Sequence, residues 1–119
     1  MAWNLSSDRP IFIQIVERIK MDIISGVYEP GSKLPAVREL AVEASVNPNT
    51  MQKALSELEK TGLVHSQRTS GRFITEDMNM IKEIKKQLAE EKINEFFETM
   101  KMIGISKQEA IELIQKKEK

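Results

Sequence analysis

The sequence predicts a mostly α-helical protein with a small β-hairpin, in which a winged helix-turn-helix domain is followed by a C-terminal helical hairpin. Two short helical patterns meet at a tight connection at residues 45–46, and two short strand patterns follow them directly. Beyond residue 76 proline is absent and only one glycine remains. We therefore expect a domain over residues 1–76 and a helical tail over residues 77–119.

The first helix is predicted over residues 10–25. Its apolar side chains recur at the spacing of one helical face, at Phe12, Ile15, Val16, Ile19 and Ile23. Gly26 favours the end of this helix. Residues 32–34 are then expected to be extended, because Pro35 disfavours helical geometry in the residue before it.

The second and third helices form the predicted helix-turn-helix. The second covers residues 36–44 and has an apolar face of Val37, Leu40, Ala41 and Ala44. Asn47 can cap the third helix with its side-chain oxygen, and Pro48 suits the first position because no backbone N–H is needed there. The predicted buried face of the third helix consists of Met51, Ala54, Leu55 and Leu58.

The other side of the third helix, residues 48–60, carries polar and basic side chains. The residues roughly opposite Met51 are Asn49, Lys53, Ser56 and Lys60, and Thr50 and Gln52 flank the buried face. Amide, hydroxyl and ammonium groups on a helix can form hydrogen bonds in a DNA major groove. We therefore interpret this helix as a recognition helix.

A β-hairpin is predicted directly after the recognition helix, with strands at residues 63–67 and 72–75 and a turn at residues 68–71. A hairpin in this place is a wing. Its arginines, Arg68 and Arg72, suit contact with a phosphate backbone or the adjacent minor groove.

The tail is predicted to be one long amphipathic helix over residues 77–103, a break at Gly104, and a last helix that opens with a capping box of Ser106 and Glu109. Such a hairpin has too much apolar surface to be stable alone. We expect it to pair with the tail of a second subunit in a two-fold dimer; the alternative is packing on its own winged domain. The candidate dimer interface is Ile81, Ile84, Leu88, Ile93, Phe96, Phe97, Met100, Ile103, Ile111 and Ile114.

Composition narrows the possible functions. Eighteen Lys/Arg balance eighteen Asp/Glu, so DNA affinity must come from local placement of Arg38, Lys53, Arg68 and Arg72. The chain has no cysteine, one histidine, no phosphate-binding glycine loop and no nucleophile elbow. We therefore expect no cofactor, no metal site and no enzymatic activity. Short apolar runs and the lack of a secretory pattern predict a soluble cytoplasmic protein without membrane contact.

Residues 10–74 resemble the GntR family of bacterial transcription regulators in order and spacing. The residues that carry the resemblance are Pro10-Ile11-Phe12-Ile13-Gln14-Ile15, Gly26, Pro30-Gly31-Ser32-Lys33-Leu34-Pro35, Arg38-Glu39-Leu40-Ala41, Val46-Asn47-Pro48-Asn49-Thr50, Ala54-Leu55, Leu58-Glu59, Gly62-Leu63-Val64 and Gly71. The short two-helix tail is similar to that of the YtrA-like subfamily, whose members lack a large effector-binding domain. The resemblance implies DNA contact by Arg38, by the readout residues Asn49, Thr50 and Gln52, and by the wing tip at Thr69, Ser70 and Gly71.

Three residues depart from the family pattern. Ala36 stands where relatives usually have a capping serine, which leaves Glu39 without its partner and costs about 1 kcal/mol. Gln52 stands where many relatives have arginine, a change that shifts base preference from guanine toward adenine. Thr69 stands where glycine is common, which hinders close backbone approach.

We expect a sequence-specific transcription regulator, a repressor in particular, that binds an inverted-repeat operator in double-stranded DNA as a homodimer. The sequence identifies no small-molecule effector. The competing hypothesis is a winged-helix module that contacts proteins and not DNA; the balanced charge favours it and the polar, basic recognition face opposes it. The candidate DNA-contact residues are Arg38, Asn47, Pro48, Asn49, Thr50, Gln52, Lys53, Arg68, Thr69, Ser70, Gly71 and Arg72.

Overall fold

A computed structural model describes residues 3–117 and confirms the predicted fold class: five helices and one two-stranded antiparallel sheet within that range. In chain order the elements are α1 (Ile11–Ile24), α2 (Val37–Ala44), α3 (Pro48–Thr61), β1 (Val64–Gln67), β2 (Gly71–Ile74), α4 (Met78–Met102) and α5 (Lys107–Lys117). The chain divides into two compact units after Lys82. We call residues 3–82 the winged unit and residues 83–117 the tail unit.

The core of the winged unit forms where α1 and α2 both pack against α3. The predicted apolar faces supply most of its side chains, because each helix repeats an apolar residue every three or four positions. Phe12, Val16 and Val37, which were also predicted to face the core, are only half-buried. The buried apolar residues of α1, α2 and α3 are Ile15, Ile19, Ile23, Leu40, Ala41, Ala44, Met51, Ala54, Leu55 and Leu58.

The start of α3 confirms the predicted cap, since the Asn47 side-chain oxygen accepts a hydrogen bond from the Asn49 backbone N–H at 2.7 Å and Pro48 is the first helical residue. The start of α2 differs. Ala36 occupies the cap position and provides no side-chain hydrogen bond. The first turn of α2 therefore lacks the side-chain acceptor that stabilises most helix starts.

The wing is a short antiparallel hairpin, β1 with β2. Val64 pairs with Ile74, His65 with Phe73, Ser66 with Arg72 and Gln67 with Gly71. The extended segment predicted at residues 32–34 lies beside β2 and is hydrogen-bonded to it. The Leu34 N–H donates to the Arg72 carbonyl at 2.9 Å, and the Ile74 N–H donates to the Ser32 carbonyl at 2.8 Å. The wing is thus anchored to the chain segment that leads into α2.

The N-terminal arm is held on α1 by a buried glutamine. Gln14 is 6% exposed; its side-chain amide donates to the carbonyls of Ser6 and Arg9 at 2.8 and 3.0 Å, and its oxygen accepts from the Ser6 N–H at 2.7 Å. Trp3 is 7% exposed and lies under the Arg18 guanidinium, 4.9 Å from the ring centroid. Every hydrogen-bonding group of the buried glutamine side chain is used, which offsets the cost of removing it from water.

The tail unit contains the C-terminal part of α4, the turn and α5. Gly104 ends the long helix with φ of 82°, a left-handed conformation that glycine adopts without steric cost. The predicted capping box is present: the Glu109 N–H donates to the Ser106 hydroxyl at 3.2 Å, and the Ser106 N–H donates to the Glu109 carboxylate at 3.3 Å. No helix within the described residues is both long enough and apolar enough to span a bilayer.

Candidate nucleic-acid interface

The first two turns of α3 present polar side chains away from the core. Asn49, Gln52 and Lys53 are exposed and Thr50 is half-buried, while Met51 between them is fully buried. Asn47 and Pro48 are also exposed, but the Asn47 side-chain oxygen is already used by the helix cap. The exposed amides of Asn49 and Gln52 therefore remain the best-placed groups of α3 for hydrogen bonds to base edges.

The connection between α2 and α3 contains an unusual backbone conformation at Ser45. This residue has φ of 59° and ψ of 45°, the left-handed region that residues with a side chain rarely adopt. The connection is closed by the Val46 N–H, which donates to the Ala41 carbonyl at 2.9 Å. Sequence analysis predicted a tight connection at residues 45–46 but gave no sign that a serine would take this conformation.

Lys53 is positioned by an aromatic ring that sequence analysis placed in the core. Its Nζ lies 4.0 Å from the ring centroid of Phe12, within the range of a cation–π contact. Phe12 is only half-buried, so its ring is available to support the ammonium group. The structure thus brings Lys53 of α3 to the edge of α1, where the ammonium group stays exposed.

Arg38 precedes α3 in the sequence and Arg68 follows it, and both side chains are exposed to solvent. Arg38 is the second residue of α2, and Arg68 opens the turn of the wing; both are exposed. Neither guanidinium group forms a hydrogen bond or ion pair with any other residue in the part of the chain that the structure describes. Both guanidinium groups are therefore available for an external anion.

The wing tip, Thr69, Ser70 and Gly71, lies beside the uncapped start of α2. The Ser70 N–H donates to the Gln67 carbonyl at 2.7 Å and closes the turn. Gly71 has φ of 104°, and a Cβ there would approach Lys33 Cε to 3.0 Å. Between the tip and the first turn of α2 lies a groove of about 270 Å³ lined also by Lys33 and Ala36. Free backbone N–H groups at a helix start favour anions in such a groove.

Arg72 lies differently from the other predicted basic contacts. Its Nε donates to Glu59 Oε1 at 2.7 Å, and the Ser66 hydroxyl donates to the same oxygen at 2.5 Å. The Arg72 side chain is 18% exposed. The hydrogen bond from Ser66 is the main cause that lowers the pKa of the Glu59 carboxyl. Desolvation is the next largest effect and opposes it, while the hydrogen bond and the charge of Arg72 add to the lowering. We call Glu59, Ser66 and Arg72 the Glu59 cluster; sequence analysis did not predict it.

The predicted dimer-interface residues have mixed exposure in the single chain. Ile81 is 6% exposed and belongs to the winged unit. Half-buried positions are Ile84, Leu88, Phe97, Met100 and Ile111. The exposed positions are Ile93, Phe96, Ile103 and Ile114, at 52%, 39%, 65% and 43%. Leu113, which was predicted to belong to the last helix but not to the interface, is 51% exposed.

Comparison with known proteins gives consistent matches. Residues 13–74 match the family described as bacterial regulatory proteins, gntR family. The HTH-type transcriptional repressor YtrA of Bacillus subtilis (strain 168) is 43% identical over 91 residues, 69% of this chain and 70% of that protein. A solved GntR family transcriptional regulator from Listeria monocytogenes has a TM-score of 0.87 and 38% identity, covering 94% of this chain and 98% of that one.

A further similar solved structure is a complex with DNA. It is the DNA-binding domain of AraR in complex with operator ORX1, with a TM-score of 0.57 and 26% identity. The match covers 63% of this chain and 95% of that domain. The family match over residues 13–74 includes the helix-turn-helix and the wing, which carry the candidate contact residues described above.

Proposed function

The chain belongs to the gntR family of bacterial regulatory proteins, and from this premise we propose that it is a transcriptional repressor that binds an inverted-repeat DNA operator as a homodimer. The observation that carries the proposal is the exposed polar face of the first two turns of α3, next to the basic wing. Membership of a family of regulatory proteins agrees with the expectation that the chain is not an enzyme.

In this proposal α3 enters the major groove and reads bases with Asn49, Thr50 and Gln52. The amides of Asn49 and Gln52 can each bond to the N6 and N7 atoms of adenine. Both are exposed, and the cap formed by Asn47 fixes the start of the helix from which they project. We therefore expect adenine-containing half-sites.

Phosphate contacts position the protein on the duplex. Arg38 and Arg68 have exposed guanidinium groups without a partner among the described residues, and Lys53 offers its ammonium group at the edge of α1. The groove between the wing tip and the start of α2 can hold a DNA phosphate. The groups that would bind it are Thr69, Ser70, Gly71 and the free N–H groups of α2. Such contacts set register and orientation without reading sequence.

The tail unit supplies the proposed dimer contact. Ile93, Phe96 and Ile103 are apolar side chains that the single chain leaves exposed, and exposed apolar groups that lie together mark protein–protein interfaces. A two-fold dimer built on residues 77–119 would present two copies of α3 to one face of the duplex, with half-sites about one helical turn apart. Repression is proposed from the similarity to YtrA, which is named a transcriptional repressor.

The alternative function, a winged-helix module for protein contacts, is favoured by the balance of 18 basic and 18 acidic residues. The two functions differ in salt dependence. A DNA binder loses affinity for any duplex steeply as salt rises, with a slope of about 0.9 per phosphate contact. A protein-contact module shows almost no duplex binding even at low salt.

The test is selection of bound sequences from a random duplex pool with the full chain, followed by titration of the selected duplex in increasing salt. We expect an inverted repeat with adenine-containing half-sites and a slope that corresponds to several phosphates. A selected pool without symmetry would contradict the dimer arrangement. No enrichment at all would contradict the DNA-binding function.

A further inference from the structure

The two faces of the wing are different, and one of them faces the Glu59 carboxylate. Side chains alternate along a strand, so Val64 and Ile74 share a face with Ser66 and Arg72, the next cross-strand pair on that face toward the tip. Val64 and Ile74 are at most 1% exposed and belong to the core. At Ser66 and Arg72 the wing leaves the core, and here both side chains donate to Glu59 Oε1.

Glu59 lies in the last turn of α3, two residues before that helix ends at Thr61. Its carboxylate is therefore a direct link between the recognition helix and both strands of the wing. The side chains of Arg72 and Glu59 are 18% and 31% exposed, so the pair is shielded from water more than an ordinary surface ion pair. Hydrogen bonds to a charged group are stronger than neutral ones and restrict geometry more.

We propose that the Glu59 cluster sets the position of the wing relative to the recognition helix, and that Arg72 contributes to DNA binding through Glu59 and not by touching phosphate. This proposal rests on the proposed DNA-binding function. In this proposal Glu59 is a positioning residue. Although its carboxylate is negatively charged, it strengthens DNA binding, because it holds the wing tip where Arg68 and residues 69–71 contact the duplex.

The competing role for Arg72 is the direct phosphate contact predicted from sequence. The two roles have opposite consequences for Glu59. If Arg72 contacts phosphate, Glu59 only neutralises it, and removal of the carboxylate charge should strengthen DNA binding. If the Glu59 cluster positions the wing, removal of that charge should weaken DNA binding although the net charge becomes more positive.

The decisive variant is Glu59→Gln in the full chain, with Glu57→Gln as the matched control. Glu57 lies two residues earlier on α3, and its carboxylate pairs with Lys60 at 3.0 Å, so the control makes the same charge change outside the cluster. We expect Glu59→Gln to weaken binding to the selected duplex about tenfold, because the hydrogen bonds from Ser66 and Arg72 would then go to a neutral amide oxygen and lose their charge assistance. Glu57→Gln should bind as tightly as the wild type or more tightly.

Arg72→Ala and the double variant separate positioning from contact. We expect Arg72→Ala to weaken binding with an unchanged salt slope, and the double variant to bind as Arg72→Ala does, because both changes break one cluster. A slope reduced by about 0.9 in Arg72→Ala would show a direct phosphate contact and overturn the proposal. Tighter binding by Glu59→Gln would overturn it as well.

Amide hydrogen exchange of the DNA-free protein provides a readout that does not need DNA. Glu59→Gln should speed exchange of the amides that hold the wing to residues 32–34, at Leu34 and Ile74, and of the Ser70 amide that closes the wing turn. Glu57→Gln should not, and the amides of α1 should keep wild-type exchange in both variants, which shows that the fold is intact. Unchanged wing exchange in Glu59→Gln would overturn the proposal. Failure of the wild type to bind any duplex would instead overturn the proposed function.

Discussion

Apolar side chains have different surroundings in the two units of this chain. In the winged unit Leu55 and Leu58 are at most 1% exposed, whereas Phe96, Ile103 and Leu113 of the tail unit are 39%, 65% and 51% exposed. The winged unit therefore closes a core within one chain. The tail unit leaves apolar surface uncovered, which is typical of a segment that packs against another molecule. We therefore expect the free energy of unfolding to depend mainly on the winged unit and association with another molecule to depend mainly on the tail unit.

The largest expected effect breaks the core of the winged unit. Leu55→Ala should lower the free energy of unfolding by about 3 kcal/mol, since it deletes buried methyl groups and leaves a cavity. Leu113→Ala makes the same chemical change at a half-exposed position of α5 and should cost less than about 1 kcal/mol. Urea unfolding followed by fluorescence of Trp3, the single tryptophan, reports on the winged unit. Equal losses for both variants would contradict the contrast between the units.

The second effect concerns the exposed apolar surface of the tail unit. The pair Phe96→Asp and Ile103→Asp should raise the dimer dissociation constant about 30-fold or more, because charges would then lie in the interface. Sedimentation equilibrium over a range of protein concentrations measures this change. Val27→Asp is the control, since Val27 is 67% exposed but belongs to the winged unit. A wild-type protein that stays monomeric at micromolar concentration would refute the dimer.

The third effect separates two neighbouring asparagines of the winged unit. Asn47→Ala removes the side-chain cap of α3 and should lower the free energy of unfolding by about 1 kcal/mol. Asn49→Ala should change stability by less than about 0.5 kcal/mol. It should instead reduce discrimination between operator and random duplex by about 1–3 kcal/mol, because a base contact is lost. Thermal unfolding measures the stability of both variants, and competition binding measures their discrimination between operator and random duplex. Unchanged discrimination in Asn49→Ala would show that Asn49 does not contact a base.

The smallest effect is a pH dependence that belongs to the Glu59 cluster. Ser66 and Arg72 lower the pKa of the Glu59 carboxyl in the folded protein. The resulting stabilisation is fully present above the unfolded-state pKa of about 4.3, and it is lost as the pH falls through the lowered folded-state pKa. The stability difference between wild type and Glu59→Gln should be under about 1 kcal/mol at pH 7 and shrink in acid. Urea unfolding across this range checks it; a constant difference would contradict the assigned cause.

Most element boundaries follow from local sequence. Predicted and observed helix and strand ends agree within one residue, from residues 10–25 for α1 to residues 72–75 for β2. Periodic apolar residues, the Asn47 cap, Gly104 and the Ser106 capping box act through neighbours in sequence, so the chain itself displays them. The same holds for the missing cap at Ala36.

Other features depend on residues distant in the chain. The contact of Lys53 with Phe12 joins two helices, and the link of Glu59 with Arg72 joins a helix to a strand. Gln14 was not singled out for burial, because its partners are backbone carbonyls of an arm without regular structure. Ser45 adopts a left-handed backbone in a turn where glycine or asparagine would have signalled it. For Glu59, the useful clue is that Ser66 and Arg72 are cross-strand partners on one face of the hairpin.

The central claim is that two copies of the chain, joined through their tail units, place two recognition helices on one face of the duplex. Hydroxyl-radical footprinting of the full chain on the selected operator tests this most directly. We expect two equivalent protected regions whose centres lie about 10 base pairs apart on the same face of the duplex. A single protected region, or two regions on opposite faces of the duplex, would contradict it.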